Sequence, residues 1–181
     1  MNDVCTYTTP DGLDDLGIRV DEDGMLTGVW FIQPGMSGAT PHPGSAAACG
    51  TARFREPVRW LDGYFAGHAP DWVPRYRLED VTPFRQAVID EMLKIPFGAT
   101  VSYGAIAKAI ERRRGGRVSA QAVGGAVGWN PICLIIPCHR VIGADGRLVG
   151  YGGGLANKAA LLRHERAPLR AGFRLLPGGG F

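Results

Sequence analysis

The chain has 181 residues, 45% of them hydrophobic and 20% charged, enough for one large domain or two small ones with a real core. No run of about 18 apolar residues occurs, which excludes a helical membrane span. The opening residues, MNDVCTYTTPDG, carry neither the basic nor the apolar region of a secretion signal, so the cytoplasm is the expected compartment. The net charge of +3 is unevenly spread: residues 1–81 hold 6 Lys+Arg and 12 Asp+Glu, residues 82–181 hold 14 and 5. The second part has the electrostatics of a phosphate-binding surface.

In chain order, Leu26–Ile32 (LTGVWFI) is a short apolar run bounded by turn residues and predicts a strand. Residues 33–50, rich in Gly, Pro, Ser and Ala, predict an irregular loop. Val58, Leu61, Tyr64 and Phe65 recur at helical spacing, and residues 66–80, with Gly67, Pro70 and Pro74, predict a linker. Thr82 is a natural cap for a helix with Pro83 in its first turn and Phe84, Val88, Ile89 and Met92 along one face. Ser102 can cap a second helix, Tyr103–Ile110, and after the basic stretch Arg112–Arg117 Ser119 can cap a third, from Ala120 to about Val127. Two short helices joined by a turn predict a helix-turn-helix. Ile132–Ile136 (ICLII) predicts a buried strand, Gly150–Gly154 a flexible loop, and Asn157–Glu165 a last helix with Leu161 and Leu162 inward. This gives two domains, a small α/β unit with an antiparallel sheet over 1–81 and a mainly helical one over 82–167, followed by a loose tail, 168–181.

The four cysteines, Cys5, Cys49, Cys133 and Cys138, form no C-x-x-C pair and are expected to be reduced thiols. Cys5 and Cys49 with His42 or His68 match no structural zinc spacing, so no metal is expected. Cys133 reads as core and His164 as surface. The four tryptophans read as packing, with Trp129 nearest the third helix. Cys138 is the candidate nucleophile. It follows a proline that fixes the local backbone, and it precedes His139, whose imidazole can take the thiol proton. A carboxylate can orient that imidazole, with Glu165 and Asp145 as the candidates. A Cys-His pair alone would more often be a buried cysteine beside a packed histidine.

The longer string decides between these readings. Ile136-Pro137-Cys138-His139-Arg140-Val141 resembles the active-site signature of the O6-alkylguanine-DNA alkyltransferases. In the same order stand Val101-Ser102-Tyr103-Gly104, Ala122 to Ala126, Asn130-Pro131, Gly150 to Gly153, and Lys158 through Leu161-Leu162 to His164-Glu165. The resemblance covers residues 82–166. Before that it holds in outline, at Tyr64 to Gly67.

The resemblance implies a ribonuclease H-like first domain and a winged-helix-like second domain. It implies that Cys138 accepts the alkyl group, His139 is its water-bridged base, Glu165 orients His139 and Asn130 holds the active turn. Tyr103 would help rotate the nucleotide out and protonate the leaving guanine, with Lys158 near the departing base. Ser102 and Tyr103 would meet DNA at the start of the second helix, and Ala120, Gln121, Ala122, Gly124, Gly125 and Val127 along the third. Val141, Tyr151, Gly152 and Gly153 would wall the guanine pocket, while Arg140 would pair inside the fold. The implied partner is double-stranded DNA carrying O6-alkylguanine, bound from the minor groove by a monomer without a cofactor. O4-alkylthymine stays open as a second substrate. The target carbon is out of reach inside a duplex, so the nucleotide must be flipped out. Minor-groove docking carries little sequence information and suits a protein that scans any sequence.

One position departs from the family's pattern. Gln121 stands where an arginine commonly fills the gap left by the flipped nucleotide. Glutamine brings no charge and less stacking surface, which predicts a deficit of about 1 kcal/mol in DNA binding and flipping. Gln121→Arg should therefore raise the repair rate on a methylated duplex, and an unchanged rate would remove Gln121 from the flipping step. Two rivals stay distinguishable. A non-transferring binder of alkylated DNA would shift a gel but keep its mass, and a cysteine hydrolase would turn over and keep a free thiol.

Overall fold

The computed structural model describes residues 2–33 and 49–168. Its first unit is built on an antiparallel sheet of β1 (Asp3–Tyr7), β2 (Leu16–Val20) and β3 (Leu26–Phe31), in that order. Side-chain alternation sets its inner face: Leu16, Ile18 and Val20 are buried and pair with Phe31, Val29 and Leu26. Gly17 lies opposite Trp30, and a Cβ there would come within 2.3 Å of the indole, so only glycine lets that ring lie across the strand. α1 (Arg55–Phe65) buries Trp60, Leu61 and Tyr64, and Trp60 Nε1 donates to Trp72 O at 2.9 Å. The linker after α1 is tied down in turn, since Leu26 exchanges backbone hydrogen bonds of 2.9 Å with Arg75 and Arg77.

Two expectations are corrected here, on the Ile132–Ile136 run and on the cysteines. Ile132–Ile136 is not a strand: only Ile132 bridges to Val29, and Leu134 then turns the chain at φ 67°. Residues Pro131–Ile135 belong to the same unit as Met1–Glu79, whereas Asp80–Asn130 and the chain from Ile136 form the other. Cys5 and Cys49 are not free thiols but a disulfide with a Cα–Cα distance of 5.3 Å; Cys133 and Cys138 are buried and outside any disulfide. Most of the expected 33–50 loop and of the 168–181 tail, and His42, lie outside the described residues.

The second unit is helical. Thr82 Oγ1 accepts from Arg85 N at 3.2 Å and starts α2 (Pro83–Met92), with Pro83 at its first position. Ser102 Oγ accepts from Ala105 N at 3.1 Å and starts α3 (Tyr103–Arg114), and Ser119 Oγ accepts from Ala122 N at 3.0 Å and starts α4 (Ala120–Gly128). α2, α3 and α4 pack on one another, and Ala87, Val88, Ile89 and Met92 of α2, Ile106 and Ile110 of α3, and Val123 and Ala126 of α4 are buried. α3 runs longer than expected, because Arg112–Arg114 form its last turn, where cations suit the negative helix end. α5 (Leu155–His164) buries Leu161 and Leu162, and Leu162 and Ala159 join Leu148 and Ala167 in a small cluster. Two short strands, β4 (Val101–Ser102) and β5 (Val141–Ile142), pair in parallel and pin the start of α3 beside the turn that holds Cys138. Among the described residues no helix is long and apolar enough to cross a membrane.

Candidate functional site

Cys138 opens a single tight turn, Cys138–Arg140, with Cys138 N bonded to Ile136 O at 2.8 Å and Arg140 N to Pro137 O at 3.0 Å. Asn130, at the end of α4, is buried and donates Nδ2 to Ile136 O at 2.8 Å, so it fixes the residue before Pro137 from outside the turn. The next side chain, His139, is fully buried, and its Nε2 lies 2.7 Å from Glu165 Oε1. Asp145, the other candidate carboxylate, pairs instead with Arg147 at 2.8 Å.

Glu165, just past α5, is the hub. Arg140 Nε reaches Oε2 at 2.9 Å and Nη2 reaches Oε1 at 2.9 Å, while Nη1 donates to Ile95 O at 2.7 Å. Gly98 N donates to Glu165 Oε2 at 3.0 Å. Burial alone would push this carboxyl up, but its hydrogen bonds from His139 and Arg140 and the Arg140 charge overcome burial and hold it at about 2. Burial lowers the pKa of His139, reinforced by the positive charges of Arg140 and Lys158 and only partly opposed by Glu165. The resting pair is therefore a carboxylate and a neutral imidazole. An ionised carboxylate only accepts, so Nε2 carries the hydrogen and Nδ1 the lone pair.

Lys158 of α5 is fully buried, an unusual place for an ammonium. It donates to Val141 O at 2.7 Å, Val149 O at 3.2 Å and Gly150 O at 3.3 Å. Burial lowers its pKa to about 8, against the pull of Cys138. Tyr103, first residue of α3, donates its hydroxyl to Val149 O at 3.0 Å. Burial and then the charge of Cys138 raise the Tyr103 phenol to about 12. Lys158 Nζ lies 5.8 Å from the ring centroids of both Tyr103 and Tyr151. Asn157 Nδ2 adds a bond of 2.7 Å to Gly153 O. The glycine loop expected to be flexible is thus held at the carbonyls of 149, 150 and 153.

The remaining candidates divide. On α4, Ala120, Gln121, Ala122 and Gly125 are exposed, and Gly124 lies against the Tyr103 ring. Val127 does not join that face: it is 6% exposed and packs inward with Val123 and Ala126. Val141 is fully buried and meets the site through its carbonyl, Gly152 is exposed, Gly153 is buried, and Ser102 serves as a helix cap. Trp129 is covered by the Arg85 guanidinium, 4.4 Å from the ring centroid. His164 is half-buried, edge-on to Phe97.

Comparison with known proteins gives the site its context. Residues 83–167 match the family described as 6-O-methylguanine DNA methyltransferase, DNA binding domain. A methylated-DNA–protein-cysteine methyltransferase of Mycobacterium tuberculosis is 44% identical over 135 residues, 75% of this chain and 74% of that protein. One of Mycolicibacterium paratuberculosis is 39% identical over 170 residues, 92% of this chain and 93% of its own length. The chain belongs to the methylated-DNA–protein-cysteine methyltransferase family. The crystal structure of Mycobacterium tuberculosis OGT in complex with DNA is similar to this methyltransferase with a TM-score of 0.70 and 39% identity, over 91% of this chain and 94% of that one. The methyltransferase is thus a DNA-repair protein that moves an alkyl group from DNA to a cysteine of its own.

Two contributors to the methyltransferase site are invisible to motif reading because they act through the backbone: the Ile95 carbonyl on Arg140 and the Gly98 amide on Glu165. Gly98 has φ 78°, and a Cβ there would stand 2.8 Å from Glu165 O. Gly98→Ala is therefore expected to cost about 1–3 kcal/mol from backbone strain alone and to slow transfer as Glu165 shifts. Denaturant unfolding beside a repair assay checks both, and a protein of unchanged stability would contradict the close approach.

The pKa shifts also set an acid limit. Glu165 drops from an ordinary 4.5 to about 2, so its contribution of about 3 kcal/mol is complete above pH 4.5 and lost as pH falls toward 2. His139 is lowered from 6.5, so the unfolded chain takes up that proton first and stability begins to fall as pH drops below 6.5. Melting temperature against pH should decline through these two windows, and Glu165→Gln should flatten the lower one.

Proposed function

We propose that Cys138 is the acceptor and that it takes the alkyl group of O6-alkylguanine in duplex DNA, once per molecule. The observation that carries this reading is the buried hydrogen bond of 2.7 Å between His139 and Glu165, next in sequence to a cysteine that forms no disulfide. The Cys138 proton passes, through a water, to His139 Nδ1, and the imidazolium so formed is stabilised by the ionised Glu165 behind it. The thiolate attacks the alkyl carbon, a sulfur–carbon bond forms, and the carbon–O6 bond breaks with its electron pair on the guanine. Tyr103 keeps its proton at neutral pH, and Lys158, at about 8, still carries its charge there; both can protonate the departing base. The product is a thioether with no route back to thiol.

Asn130 holds the turn and Arg140 holds Glu165 in place. Ser102, Tyr103, Ala120, Gln121, Ala122, Gly124 and Gly125 meet the DNA from its minor groove, and Tyr151, Gly152 and Gly153 wall the base. The protein acts as a monomer. The small exposed side chains of α4 support this docking, since they let helix backbone approach a groove closely. The same reading gives the first domain, 1–81, a ribonuclease H-like fold and the second, 82–167, a winged-helix-like one. The test is repair stoichiometry: labelled methyl on a duplex should transfer to one equivalent of protein and stop, and Cys138→Ser should transfer none. Continued turnover, or transfer by the Cys138→Ser protein, would overturn the assignment.

A further inference from the structure

Six of the fifteen arginines among the described residues are held by a carboxylate. Arg53, Arg75, Arg77, Arg113, Arg140 and Arg147 each face a carboxylate within 4 Å. Three that are not so paired, among the described residues, stand together at the end of α3 and in the turn after it. Arg112, Arg114 and Arg117 are exposed, and Arg112 uses only its Nε, on Lys108 O at 3.3 Å. Their neighbour Arg113 points the other way, to Glu91 at 3.3 Å and Asp90 at 3.7 Å on α2. The nearby carboxylate of Glu111 is taken by Val118 N at 2.7 Å. Gly115 and Gly116, at φ 72° and 79°, end α3 sharply and lead through Arg117 and Ser119 into α4. The turn therefore delivers three uncompensated guanidiniums beside the first exposed residues of α4, where position 121 is an uncharged glutamine.

Resting on the reading of α4 as the DNA-facing helix, we propose that Arg112, Arg114 and Arg117 form a phosphate clamp on the DNA backbone, supplying from the turn the positive charge that Gln121 does not. Guanidinium is the group suited to this: it stays charged, sheds water readily and meets phosphate through two donors at once. Such contacts hold the duplex in register without reading bases, which fits a protein that must stop at a damaged base in any sequence.

Each neutralised phosphate contributes to the salt dependence of binding, so the clamp has a direct readout. Binding of a fluorescent O6-methylguanine duplex is measured across a salt series. Arg112→Gln/Arg114→Gln/Arg117→Gln should make the slope of log K against log salt shallower by about 2 to 3, and each single change by about 1. The singles keep the result readable if the triple variant folds poorly. Arg55→Gln and Arg163→Gln, equally exposed elsewhere, should leave the slope unchanged. Arginine variants with the parent's slope, or controls that lose as much per charge, would overturn the clamp. Transfer from free O6-benzylguanine, which has no backbone, should proceed at the parent's rate in the arginine variants. If the parent itself fails to transfer from either substrate, it is the Cys138 reading that falls, not the clamp.

Discussion

A Glu165→Gln protein is expected to melt on the order of 10 °C below the parent and to transfer about one to two orders of magnitude more slowly. The size follows from what the carboxylate holds. It holds two buried cationic or ionisable partners, Arg140 at 2.9 Å and His139 at 2.7 Å, and it also takes the Gly98 amide. Removing one partner of a buried pair strands the other charge, at about 3–5 kcal/mol. Glutamine keeps one acceptor oxygen and the shape of the side chain, so the loss reports charge more than packing. The kinetic effect has a separate origin: without the anion, the imidazolium formed when His139 takes the thiol proton is no longer stabilised. Thermal unfolding and single-turnover transfer on a methylated duplex check the two effects independently. A protein melting within a degree or two of the parent would show that Arg140 finds compensation elsewhere.

The second large effect belongs to His139. His139→Gln should slow transfer by about two to four orders of magnitude near neutral pH, the usual range for losing a general base. A merely structural loss would depress the rate equally at every pH. Loss of the base should instead leave a rate that climbs with pH, by up to about tenfold per unit, as the thiol ionises without its neighbour's help. The gap between parent and variant should narrow steadily toward alkaline pH. A constant ratio between them across pH would remove His139 from proton transfer and leave it a packing residue.

The parts of this protein legible in its sequence are those governed by local chemistry. Thr82, Ser102 and Ser119 cap their helices with their own hydroxyls, so each helix start can be read within three residues. The Pro137-Cys138-His139-Arg140 string has one tight turn to form, and Arg140 pairs inside the fold as its sequence context implied. What escaped the sequence depends on distant partners. β1 and β2 are only five residues each: β2 does alternate, with Leu16, Ile18 and Val20 inward, but over too short a stretch to stand out, and β1 buries Cys5 alone. The Ile132–Ile136 run has strand composition, yet only Ile132 meets Val29 before Leu134 turns away. The Cys5–Cys49 bridge joins residues 44 apart with no motif between them. Gly98 serves the site with an amide that any residue type possesses, and only its φ of 78° marks why glycine is needed there. Lys158 was readable as a site residue by resemblance, but not its grip on three carbonyls, since those lie in loops that the fold alone brings together.

Mass spectrometry of the protein after one encounter with O6-methylguanine DNA puts the central claim to its most direct test. The intact chain should gain a single methyl, about 14 Da, and peptide mapping should find it on the sulfur of Cys138, with Cys133 unmodified. A methyl found on another residue, or an unchanged mass alongside restored guanine, would contradict the account.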